Sequence, residues 1–168
     1  MAKAQARREA LDILDRHEIP KALSMSELRE RLEDIRGRKI EYRIVAGLAG
    51  QEIHGVWGGD FKQNIDTVYL PPLDSIAAQF FICCHEHGHM LATPSGHERT
   101  IGTDSHVRDL VARSIPLGRA LDFTYMHSDF SREDERLAET VGAELAVRVL
   151  RFERARGRDF QFGRVFGG

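Results

Sequence analysis

The chain has 168 residues, 42% of them hydrophobic and 30% charged, the balance of a soluble globular protein able to bury a core without staples. Its formal net charge of −2 offers no overall basic field to nucleic acid. No apolar run is long enough for a transmembrane helix, and no signal core follows the basic N-terminal residues, so the protein is expected in the cytoplasm.

One domain is expected over residues 1–168. N-terminal helices occupy 1–36, a small sheet 37–73, a metal-binding helical core 74–156 and a tail 157–168. Ala6, Ala10, Leu11, Ile13 and Leu14 recur at helical spacing between Gln5 and His17. Ser24 and Glu27 form a capping box that opens a second helix, with Leu28, Leu32 and Ile35 inward and Gly37 past its end. The charges of Arg29, Glu30, Arg31, Glu33, Asp34 and Arg36 read as its solvated face. Strands are expected over Ile40–Val45, His54–Gly58, turned at Gly58-Gly59-Asp60, and Thr67–Leu70, which Pro71-Pro72 stops.

Asp74 or Ser75 then caps a long apolar helix that ends in His85-Glu86-His87-Gly88-His89. Cys83 and Cys84, the only cysteines, sit adjacent within it. They suit neither a disulfide framework nor a zinc knuckle, and read as buried small hydrophobes in a reducing compartment. Beyond Thr93-Pro94-Ser95-Gly96, residues 104–113 form a short helix with Val107, Leu110 and Val111 inside. Pro116 and Gly118 break the chain before Leu121–Tyr125. Ser131 and Asp134 give the capping signal of a last helix running to about Ala155. The Gly-, Phe- and Arg-rich tail is expected to be loosely held.

The chemistry concentrates in His85, Glu86 and His89, an HExxH. Residues four apart share one helix face about 6 Å apart along the axis, so two imidazoles can converge on one ion at the roughly 2.0–2.1 Å that zinc prefers. Glu86, one step round the helix, can take the proton of a metal-bound water. Gly88 costs the helix about 1 kcal/mol relative to Ala, which is explained if a neighbour or substrate packs there. A catalytic zinc needs a third protein ligand. Glu135 and Glu139 share a face of the last helix, and Gly142 and Ala143 allow it to lie close. Glu135 is preferred as ligand, with Glu139 accepting a ligand histidine's other N–H; the reverse assignment stays open. His87 points to another face and is read as structural or exposed. Tyr125 is a core residue or an oxyanion donor. His97 and His106 could reach the metal if the loop folded back, though nothing singles them out, and His17, His54 and His127 are ordinary histidines.

The order of parts resembles the ImmA/IrrE family of zincin-like metallopeptidases over residues 20–150. The resemblance rests on two short helices, a Gly-Val-Trp and a Val-Tyr-Leu strand, the HExxH helix, and Glu135-Arg136-Leu137-Ala138-Glu139-Thr140-Val141-Gly142. It implies an α+β zincin-like domain, with a small, mostly antiparallel sheet packed on the active-site helix and a second long C-terminal helix. It further implies a gluzincin-type Zn2+ site with His85 and His89 as ligands, Glu86 as general base, and an acid of the Glu135–Glu139 helix as third ligand. Leu137 stands where the family often carries an acid. Antirestriction-type zincins are similar over the same helices, through Ala138-Glu139.

The resulting expectation is a zinc-dependent endopeptidase that hydrolyses a peptide bond in a protein partner. By the resemblance, that partner is a helix-turn-helix repressor controlling a mobile element. The alternative is a non-proteolytic regulator that keeps the scaffold and recognises a partner protein. Direct nucleic-acid binding through Arg151, Arg154, Arg156, Arg158 and Arg164, interleaved with Phe152, Phe160, Phe162 and Phe166, is weaker, because those aromatics can equally dock on the core.

Overall fold

The two central strands of the sheet are buried along almost their whole length. In the computed structural model, residues 2–51, 55–73, 75–93, 105–126 and 130–157 are described. His54, Asp74, Pro94–Gly96, His97, His127 and the tail beyond Gly157 lie outside them. The strands are β1 (Lys39–Ile44), β2 (Val56–Asp60), β3 (Ile65–Leu70) and β4 (Phe123–Met126). They lie in the order β1-β3-β2-β4. β1 runs parallel to β3, and the β2–β3 and β2–β4 pairings are antiparallel. Trp57, Val68 and Leu70 point to one face and join the main core, whereas Val56 and Tyr69 point to the other. There they meet Val107 and Val111 of α4 (Ser105–Ala112), with Leu110 half-buried beside them.

The main core is closed by helices. They are α1 (Ala2–Arg16), α2 (Met25–Arg36), α3 (Ile76–Ala92) and α5 (Arg132–Ala155). The described residues thus form an α+β fold of helices on a mixed four-stranded sheet. The expected caps form: Ser24 and Glu27 make a reciprocal capping box, and Gly37 ends α2 at φ +66°. Ser75 and Ser131 accept the amide protons of Ala78 and Asp134. No described helix is long and apolar enough to cross a membrane.

Two expectations are corrected. Gly58-Gly59-Asp60 is not a turn but the end of β2: all three pair with β3, and the two glycines pair with β4 as well. The glycines are there because a Cβ on Gly59 would overlap the Phe123 ring, and one on Gly58 would lie 3.0 Å from Leu121 and the Phe123 carbonyl. The chain turns after Asp60, whose carboxylate accepts the Gln63 amide at 2.8 Å. Arg36 is not on the solvated face of α2. It is buried, paired with the equally buried Asp66 of β3, and donates to the Met90 carbonyl at 3.1 Å. Its guanidinium lies 4.5 Å from the Trp57 ring centroid, so a flat cation is satisfied on its edge and covered on its face.

α3 and α5 cross at backbone contact. A Cβ on Gly88 would overlap the Ala138 carbonyl, and one on Gly142 would fall 2.7 Å from the Cys84 oxygen and 2.8 Å from His85 Cα. Both glycines are buried. On an exposed helix, Gly→Ala gains roughly 1 kcal/mol of propensity. Here the overlap is with backbone, which cannot rotate away, and overpacking of this kind costs about 1–3 kcal/mol. Gly142→Ala is therefore expected to lower the urea midpoint, and Gly142→Val to lower it further. A midpoint raised by Gly142→Ala would contradict the close crossing.

Candidate metal centre

The crossing delivers Glu135, in the first turn of α5, to the histidines of α3. His85 Nε2 and His89 Nε2 are 3.1 Å apart, and the Glu135 carboxylate oxygens lie 3.0 Å from the first and 3.2 Å from the second. The Glu135 side chain is 13% exposed and that of His89 3%. In the metal-free chain each of these nitrogens can donate to the Glu135 carboxylate; deprotonated, the same two nitrogens turn their lone pairs to the space between the three side chains. Ligands held at about 2.0–2.1 Å in a tetrahedron are spaced by about 3.3 Å. The observed spacings are close to that, and two nitrogens with one carboxylate are a donor set for a first-row divalent ion. His85, His89 and Glu135 thus form a group that can hold a metal.

Burial works against charge on His85, but its hydrogen bond to Glu135 and the charges of Glu86, Glu135 and Glu139 outweigh it, and its pKa is raised. Glu135 is the complement. Burial alone would raise its pKa, yet hydrogen bonds from His85 and His89 hold it far below the usual carboxylate range. Its place in the first turn of α5, beside the free amides of the helix start, favours the same ionised state.

Glu86, next along α3, is 4% exposed. Burial, reinforced by the Glu135 charge and opposed by His85, pushes its pKa up to about 7. Its carboxylate packs against the chain just before β2: a Cβ on Gly55 would fall 2.6 Å from Glu86 Oε1. Gly55 therefore leaves the room that a charged side chain needs between helix and sheet. Its place before the Val-Trp strand does not reveal this role, because the contact is tertiary.

Glu139 stands one turn further along α5, exposed, and lines the cavity next to His85. It acts on His85 through its charge, and the group converging on one point contains Glu135 instead. His87 is fully buried beneath the site, with Nε2 2.9 Å from the Tyr42 hydroxyl. Burial pushes its pKa down to about 3, so it is a neutral core residue. Tyr125 is buried on β4. His106 is exposed on α4, and His17 is half-buried after α1. Cys83 and Cys84 are free and buried, their thiol pKa values raised by that burial.

Phe130 was not singled out by the sequence. Its ring stacks on His89 at 3.9 Å between centroids and 16° between planes. It continues into Tyr125 at 5.2 Å, and Tyr125 into Trp57 at 5.2 Å. The sheet core thereby fixes the plane of a candidate ligand. A lone Phe just before a helix cap has no periodicity to mark it.

Linkage sets a pH window for the metal-free protein. Glu135 has a depressed pKa, so its contribution is complete above the unfolded value of about 4.3 and is lost as pH falls below it. His85 has a raised pKa, so its contribution is complete below the unfolded value of about 6.5 and is lost as pH rises through its folded value. After chelation, the stability difference between wild type and Glu135→Gln is expected to peak between about pH 4.3 and 6.5. Urea titrations across pH 3–9 test this, and a difference independent of pH would contradict the pairing. In comparisons with known proteins, no family model, curated protein or solved structure matches the chain.

Proposed function

We propose that the chain is a zinc-dependent endopeptidase with a zincin-like domain of the ImmA/IrrE type. The carrying observation is that the Nε2 atoms of His85 and His89 lie 3.1 Å apart and each is 3.0–3.2 Å from one oxygen of the Glu135 carboxylate, with the buried Glu86 next along α3. His, His and a carboxylate are the donor set of hydrolytic zinc sites that keep a fourth position for water or substrate. When bound, zinc supplies a water of lowered pKa and polarises a carbonyl oxygen.

Glu86 is the general base, and its environment suits that task. Its side chain is almost wholly buried, with the carboxylate in the room that Gly55 leaves between helix and sheet, and a carboxylate held in place can relay a proton between the reacting water and the leaving group. In peptide hydrolysis it accepts the proton of the attacking water and returns it to the departing amine. Water oxygen joins the carbonyl carbon as the C–N bond breaks. His85, His89 and Glu135 would hold the ion, Phe130 fixes the plane of the His89 ring, and the Gly88–Gly142 crossing sets the distance between helices. The proposed substrate is a protein partner. The family resemblance points to a helix-turn-helix repressor met in the cytoplasm.

Glu86→Gln removes the base while keeping size and polarity. This variant is expected to bind zinc as wild type does, while hydrolysis of a repressor substrate falls by at least about 10²-fold. Undiminished turnover in zinc-loaded Glu86→Gln would sink the mechanism. A wild type that binds such a repressor without cleaving it would favour the non-proteolytic regulator.

A further inference from the structure

Beside the candidate metal centre, the groove between α3 and α5 widens into a cavity of about 440 Å³. His85 and Glu135 line it, so it opens directly onto the site. Among the described residues, the remaining lining is Phe81 and Ile82 of α3, and Glu139, Gly142 and Ala143 of α5, with no lysine or arginine. Phe81 is 51% exposed, and Val147, one turn beyond Ala143 on the same stripe of α5, is 40% exposed. Large apolar side chains held half in water beside a polar site are what a recognition surface requires. They contribute little to the core behind them.

We infer that this cavity is the specificity pocket of the site, and that it selects an extended peptide segment carrying a large apolar side chain close to a basic one. The inference rests on the peptidase reading and adds the substrate class. The cavity falls in the size range of pockets that bury small ligands, ample for a Leu, Met or Phe side chain. Its walls offer that side chain carbon on both sides. Glu139 is an exposed carboxylate about one helical turn, roughly 6 Å, from Glu135. An extended strand advances about 6.6 Å over two residues and returns to the same face. A Lys or Arg within two positions of the apolar residue can therefore lie over the exposed carboxylate of Glu139.

The test uses the zinc-loaded full chain and eight-residue peptides. One position varies among Ala, Leu and Phe, and the position two residues on varies among Arg, Ser and Glu. Binding of fluorescein-labelled peptides is measured on Glu86→Gln, which does not turn them over, and cleavage on wild type. Leu and Phe peptides are expected to bind at least about tenfold tighter than Ala, the scale of apolar pocket discrimination, and Arg peptides tighter than Glu. Ala143→Trp, at an exposed position of α5, fills the cavity and should erase the apolar preference. Glu139→Lys should reverse the Arg-over-Glu order and keep the apolar one.

The failures separate. Cleavage with no apolar preference would overturn the pocket and leave the peptidase. Apolar-dependent binding lost in Ala143→Trp, with no cleavage by wild type, would keep the pocket and remove the peptidase. Equal binding of all peptides, or none of any, would overturn the pocket.

Discussion

Everything at the site depends on two helices touching at their backbones. Gly88 faces the Ala138 carbonyl, and Gly142 faces Cys84 and His85, so neither helix can carry a side chain where they cross. Each glycine costs about 1 kcal/mol of helix propensity, and the crossing returns that in two ways. It buries Ala138, Val141 and Leu145 completely against α3 and the core. It also brings Glu135 within 3.0 Å of His85, a distance that a helix pair separated by ordinary side chains would not allow. The candidate metal centre is thus a consequence of helix packing, and its third member is positioned by residues a turn or two away.

A second set of contacts holds the far end of α3. Asp66 in β3 is fully buried and meets both Arg36 and Arg38. Arg36 also donates to the carbonyls of Met90 and Thr93 at the end of α3, 3.1 and 3.4 Å away. Those carbonyls have no acceptor role left inside the helix, so the guanidinium serves as its C-terminal cap while tying it to the sheet. Such a buried pair adds little net stability over an apolar replacement, but removing one partner costs about 3–5 kcal/mol. Its value here is directional. Together with the stack from Trp57 through Tyr125 and Phe130 to His89, it fixes where the second histidine of the motif sits.

Local signals were legible in the sequence where the physics is local. The Ser24–Glu27 box, the Ser131 cap, the alternation of β1 and the Pro71-Pro72 stop of β3 depend on neighbours a few residues away, and each is found where its pattern stands. The convergence of His85 and His89 follows from helix pitch alone. Gly88 and Gly142 were informative because an unexplained propensity cost implies a close neighbour. Charge and glycine misled where tertiary contacts decide. Arg36 lies in a run of charged residues, and only the Asp66 carboxylate, thirty positions on, makes its burial affordable. Gly58-Gly59 reads as a turn because the Phe123 ring that covers it belongs to a strand with no clear pattern of its own. The choice between Glu135 and Glu139 could not be made from helix spacing, since both share one face. The rotation of α5 at the crossing favours the first.

The most direct test is metal content by mass spectrometry on protein purified without added metal, for wild type, Glu135→Ala and Glu139→Ala. The account predicts about one zinc per chain in wild type and in Glu139→Ala, and a loss of zinc in Glu135→Ala. A wild type that carries no metal and takes none up on titration, or a Glu135→Ala variant that keeps its zinc while Glu139→Ala loses it, would contradict the site described above.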